Sequence, residues 1–119
     1  MAHHNDLGKY GERLGADYLA QHQFSVLHTN WKYSYYEIDV IASKNNVLHF
    51  IEIKTRLSVN FGLPEEGADR RKWQNIQRAA QVFQHRNPMW QRVQYDLLSI
   101  RVFEDAPAEY LLIEDVYYW

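Results

Sequence analysis

Two strongly apolar stretches, Tyr36-Glu37-Ile38-Asp39-Val40-Ile41 and Phe50-Ile51-Glu52-Ile53-Lys54-Thr55-Arg56, each carry acids, and the second also carries a lysine. No other feature of the chain limits its fold as tightly. Both stretches read as strands, and residues two apart in a strand share a face, so Glu37 aligns with Asp39, and Glu52 with Lys54. Between them Asn45-Asn46 accepts the positive φ values of a tight hairpin turn. Pairing Lys44 with Val47 then sets Asp39 opposite Glu52 and Glu37 opposite Lys54. Like charges directly opposed in a sheet are destabilising, and at about 4 Å the repulsion is roughly 4 kcal/mol for an effective dielectric of about 20. A divalent cation is the simplest compensation.

With 119 residues, the chain is expected to form one domain, 1–119, large enough for a real core. Its composition, 46% hydrophobic and 24% charged, is that of a folded globular protein rather than a disordered one. No segment approaches the roughly 18 consecutive apolar residues of a membrane span, and the opening residues lack the pattern of a signal peptide, so a cytoplasmic location is expected. With no cysteine, disulfides, thiolate metal sites and thiol nucleophiles are excluded. Chemistry must come from carboxylates, lysine, histidine or hydroxyls. The formal charge of −2 does not advertise a polyanion partner. Even so, Arg70, Arg71, Lys72, Arg78, Arg86 and Arg92 gather positive charge in the second half, either as a local basic surface or as a solvated helix face.

Periodicity organises the rest. A helix is expected from Asp6 to Gln21, with Asn5 or Asp6 as N-cap and Leu7, Tyr10, Leu14 and Tyr18 facing the core. Asp6, Lys9, Arg13 and Asp17 form a separate solvated stripe. Glu12 belongs to neither, but lies beside Gly8, Gly15, Ala16 and Leu19, a face of small residues that allows close approach to another element. A strand over Phe24–Trp31 leads into the acidic hairpin. Arg56–Gly67 reads as a loop broken at Phe61-Gly62-Leu63-Pro64. A second helix runs from Ala68 or Asp69 to His85, with Trp73, Ile76, Ala80 and Phe83 buried. Further strands are expected at Gln91–Phe103 and Tyr110–Ile113. Since a helix separates the Glu52 strand from the Leu97 strand, those two should be parallel neighbours. The order is αβββαβ with one extra strand: an α/β fold with a mixed central sheet flanked by helices.

Asp39 and Glu52, with Glu12 from the first helix and the backbone carbonyl of Ile53, supply the hard oxygen ligands preferred by Mg²⁺ or Mn²⁺. Lys54 would lie beside the ion, able to orient a water or neutralise charge on a phosphate oxygen. That combination suits phosphodiester hydrolysis. Thr55 and Arg56, at the end of the same strand, are candidates for a phosphate contact. Glu37 either joins the site or pairs with Lys54, and Asp96 caps a backbone group or pairs with an arginine. The histidines show no ligand spacing such as HExxH, so no zinc site is expected.

An acid in the first helix, an isolated Asp on a strand and Glu-x-Lys on the next resemble the PD-(D/E)XK nuclease superfamily. More closely, Gly8-x-x-Gly11-Glu12, Asn30-Trp31, Glu37-Ile38-Asp39-Val40-Ile41-Ala42, the run Phe50–Arg56 and Phe61-Gly62 resemble the bacterial YraN family of predicted endonucleases. The resemblance implies a restriction-endonuclease-like fold and an Mg²⁺-dependent endonuclease acting on DNA, branched or otherwise structured. Its nearest functional relatives, archaeal Holliday-junction resolvases, imply a homodimer. In this resemblance Asp39 and Glu52 match the metal-binding acids, Lys54 the catalytic lysine, and Glu12 the helical acid that reaches the metal, often through water. Tyr36 departs from the small residue usual before Glu-Ile-Asp, and Gln94-Tyr95-Asp96 from the commoner Arg-Phe-Asp. Two rival classes stand beside this reading: a nucleic-acid-binding module that keeps the fold without cutting, and an adaptor that holds a protein partner through Tyr117-Tyr118-Trp119.

Overall fold

The computed structural model describes residues 3–57 and 70–116. In chain order the elements are α1 (His3–Gln21), β1 (Ser25–Tyr33), β2 (Tyr36–Lys44), β3 (Val47–Leu57), α2 (Arg70–Arg86), β4 (Val93–Val102) and β5 (Glu109–Ile113). The five strands form one sheet in the order β1-β2-β3-β4-β5. β3 and β4 are parallel and the other neighbours antiparallel. This is the expected mixed sheet, with α2 supplying the crossover that a parallel pair requires. It is consistent with a restriction-endonuclease-like fold. Among the described residues no helix is long and apolar enough to cross a membrane.

Each helix covers one sheet face. α2 packs Trp73, Ile76, Ala79, Ala80 and Phe83 on Ile41, Phe50 and Leu97, while α1 sets Leu19 against Val40, Ile51 and Leu98. The alternation of β3 explains the division, with Leu48, Phe50 and Glu52 on the α2 side and Ile51 and Ile53 on the α1 side.

Helix α1 begins earlier than expected, so Asp6 lies in its first turn and favours the positive end of the dipole from inside the helix rather than as its cap. Leu14 and Tyr18 pack on the core as expected, but the expected stripe fails at Tyr10. Tyr10 is 46% exposed, and the closest approach runs through Gly11, Gly15 and Leu19. A Cβ at Gly11 would stand 1.8 Å from Thr55 Oγ1 and 2.7 Å from its Cβ; one at Gly15 would stand 2.6 Å from Ile53 Cδ1. Helix and strand meet where side chains are missing. Gly8 faces open space. Gly11→Ala should therefore destabilise by about 1–3 kcal/mol, whereas Gly8→Ala should stabilise by roughly 0.5–1 kcal/mol. Paired urea titrations read both, and equal effects would refute this packing.

β3 runs on to Leu57, so Arg56 is strand rather than loop. The rest of the expected loop, including Phe61-Gly62, lies outside the described residues, as does Tyr117-Tyr118-Trp119.

Candidate metal centre

The hairpin turn forms as its residues dictate, with Asn45 at φ 53° and Asn46 at φ 64°. From Lys44↔Val47 the ladder climbs in the expected register to Val40↔Ile51 and stops there. Asp39 ends it: the Ile53 backbone N–H donates to Asp39 Oδ2 at 2.8 Å, so a carboxylate takes the place of a strand partner. On the other side, β1 pairs Thr29 with Val40 and Trp31 with Ile38. Asn30 between them is left-handed, at φ 52°. The sheet is thus opened around Asp39 on both flanks. Because the N–H and C=O of one strand residue project to the same side, the Ile53 carbonyl faces the same gap.

Glu52 is 3% exposed, and the Asp39 carboxyl hydrogen-bonds to it. Burial first, and then the Glu52 charge, push the Asp39 carboxyl up to about 8, against the pull of the Ile53 amide and the Lys72 ammonium. Two acids crowd one small volume. Lys72, from the first turn of α2, forms an ion pair with Glu52. Glu12 on α1 is raised as well, by burial, then Asp39 and Glu37; a hydrogen bond from Asn30 and the charge of Lys9 oppose the shift. Its carboxylate does not join Asp39 and Glu52 within a single 4.8 Å span. The helical acid thus stands apart from the Asp39–Glu52 pair while still feeling the charge of Asp39.

Other expected positions resolve as follows. Glu37 pairs with Lys32 at 3.8 Å on the exposed β1–β2 ribbon, and the ladder expected to set it opposite Lys54 ends before reaching either residue. Lys54 shares the strand face of Glu52 and is half-buried. Thr55 lies under Gly11 of α1, and Arg56 pairs in register with Arg101 of β4. Asn30 enters the sequence reading only within the Asn30-Trp31 motif and Lys72 only within a basic run, and neither is assigned to the site there. An asparagine within a strand, where it is disfavoured, was the signal for the first. For the second it was a lysine next to the buried Trp73, on the edge of the α2 core stripe.

A second set lies on the α1 side of the sheet. His49, Asp96 and Glu114 present ligand atoms within 4.8 Å of one another, close enough to hold a metal ion. His49 Nδ1 and Asp96 Oδ2 are 2.6 Å apart. Asp96 Oδ1 accepts from Gln94 Nε2 and from the Asp115 backbone N–H, each at 2.9 Å. Asp96 thus caps a backbone group, as one reading of the sequence has it, but the ring it meets is a histidine rather than the guanidinium of an arginine. The histidine spacing concealed this, because His49 and Asp96 meet only through the parallel β3–β4 register.

The donors at Asp39, Glu52 and the Ile53 carbonyl are all oxygen, with a half-buried carboxylate set beside a buried one. Such a set fits Mg²⁺ or Mn²⁺. The family model described as Uncharacterised protein family UPF0102 matches residues 11–100. The chain is also similar to a UPF0102 protein of Flavobacterium psychrophilum, 38% identical over 100 residues and 84% of each chain. A UPF0102 protein of Bacteroides thetaiotaomicron is 36% identical over 84% of this chain and 83% of its own. One of Parabacteroides distasonis is 35% identical over 99% and 97% respectively.

Proposed function

For a chain that belongs to the UPF0102 family, the YraN family, we propose a metal-dependent endonuclease that hydrolyses phosphodiester bonds in DNA, including branched or otherwise structured DNA. The observation that carries this reading is the opening of the β2–β3 ladder at Asp39, which takes the Ile53 amide at 2.8 Å beside the buried Glu52 carboxyl and is pushed up to about 8 by burial and by that neighbour. A site built for its own stability would not hold two acids this way; a site built for a dication would. Asp39, Glu52 and the Ile53 carbonyl would hold Mg²⁺ or Mn²⁺, with Glu12 reaching it through water. When bound, the ion supplies Lewis acidity toward a phosphoryl oxygen and an acidified water. The chain does the rest. Ile53 N–H fixes one oxygen of Asp39, and Lys54, on the same strand face as Glu52, places positive charge where a phosphate oxygen gains negative charge. Arg56, next on that face, extends the positive lining. A homodimer would supply two such sites for a two-fold substrate.

The test uses flap, splayed, four-way and linear DNA in Mg²⁺, Mn²⁺ or EDTA, with Asp39→Asn as control. Metal-dependent cleavage lost in the variant supports the reading. DNA binding without cleavage in either metal would favour a binding module on the same fold.

A further inference from the structure

Glu52 is almost fully buried, yet its neutralising charge comes from another element: Lys72, whose side chain is 56% exposed, reaches in from α2 to the carboxylate. The same ammonium also lowers Asp39, opposing burial and Glu52. One tethered monovalent cation therefore serves both acids of the pair. Its stem enters from solvent, its anchor is the first turn of a helix, and its head lies against the oxygens best placed to bind a dication. An ammonium and a dication cannot both sit against Glu52 without strong mutual repulsion. Resting on the metal-centre reading above, we propose that Lys72 is a resident counter-ion: it holds the acid pair together in the metal-free protein and must be displaced before a divalent ion can bind. Metal affinity is then set by a competition within the chain, and loading the site frees an ammonium at its rim.

The competition predicts the sign of a substitution. Mn²⁺ titration calorimetry without DNA should show Lys72→Met binding about tenfold more tightly than the wild type, with Lys72→Arg, which keeps the charge, close to the wild type. In EDTA at pH 8 Lys72→Met should melt lower than the wild type, and saturating Mn²⁺ should raise its melting temperature by more. Equal or weaker Mn²⁺ binding by a folded Lys72→Met would overturn the proposal. If neither protein binds Mn²⁺, the metal-centre reading falls and takes this proposal with it; if the wild type binds and the variant is unchanged, only the counter-ion role fails. A measurement on the wild type avoids any folding defect. In ¹H–¹⁵N spectra of the lysine ammonium groups, the signal of Lys72 held by Glu52 should vanish or move on Mg²⁺ titration, and its persistence at saturation would also overturn the proposal.

Discussion

Asp39→Asn is expected to lower metal-dependent cleavage by roughly 10²–10³-fold or more while making the metal-free protein more stable at pH 8. The two effects have one origin. Asp39 is raised from the usual carboxylate range to about 8 by burial and by Glu52, so between about 4 and 8 the folded protein keeps a proton that the unfolded chain has released. Its stabilising contribution is complete below the unfolded value and is lost as pH rises through the folded one, by at most about 1.4 kcal/mol per pH unit for one proton. Asparagine cannot ionise, and its amide oxygen can still accept from Ile53 N–H. In EDTA the variant should exceed the wild type by the order of a few kcal/mol at pH 8, with the gap closing toward pH 5. Urea denaturation across that range reads it. A wild-type stability independent of pH, or a variant weaker at pH 8, would mean that the acids are not crowded. This is a trade of stability for function, of the kind expected where binding residues are held together.

The largest loss of stability should come from the opposite face. Asp96 is completely buried and joins three elements, accepting from Gln94, meeting His49 of β3 and capping the Asp115 amide after β5. Asp96→Ala removes all of these together and leaves His49 buried without its partner, at a cost of roughly 3–5 kcal/mol. Asp96→Asn keeps an acceptor for the Asp115 amide and should lose less. Denaturation midpoints at constant slope decide it. A cost under about 1 kcal/mol for the alanine variant would reduce this set to ornament. Mn²⁺ should not rescue the loss if the group acts as a hydrogen-bonded tie.

Much of this was legible before any coordinates, and the limits have physical causes. Strand alternation and the Asn45-Asn46 turn gave the hairpin register, and the stripe of Trp73, Ile76, Ala80 and Phe83 placed α2, since burial imposes those periods directly. On α1 the expected face of small residues makes the close approach at Gly15, and Leu14 and Tyr18 pack on the core as their spacing implies, but Tyr10 is exposed and Gly8 meets nothing, because spacing alone does not say where along a helix its neighbour ends. The ladder expected to set Glu37 opposite Lys54 stops short for a different reason. Register arithmetic assumes an unbroken ladder, and Asp39 breaks it by bonding Ile53 itself. Lys72 and the His49–Asp96 contact depend on elements far apart in the chain, so local pattern could not bring them together.

The parting of the strands at Asp39 has one more consequence. The turn at Asn45-Asn46 lies at the far end of the hairpin from the acids, yet its length alone fixes their phase. One inserted residue there would rotate Glu52 to the opposite side of the sheet, out of reach of both its neighbours, without altering a single acidic residue. The bend that touches nothing in the centre is the gauge to which the centre is cut.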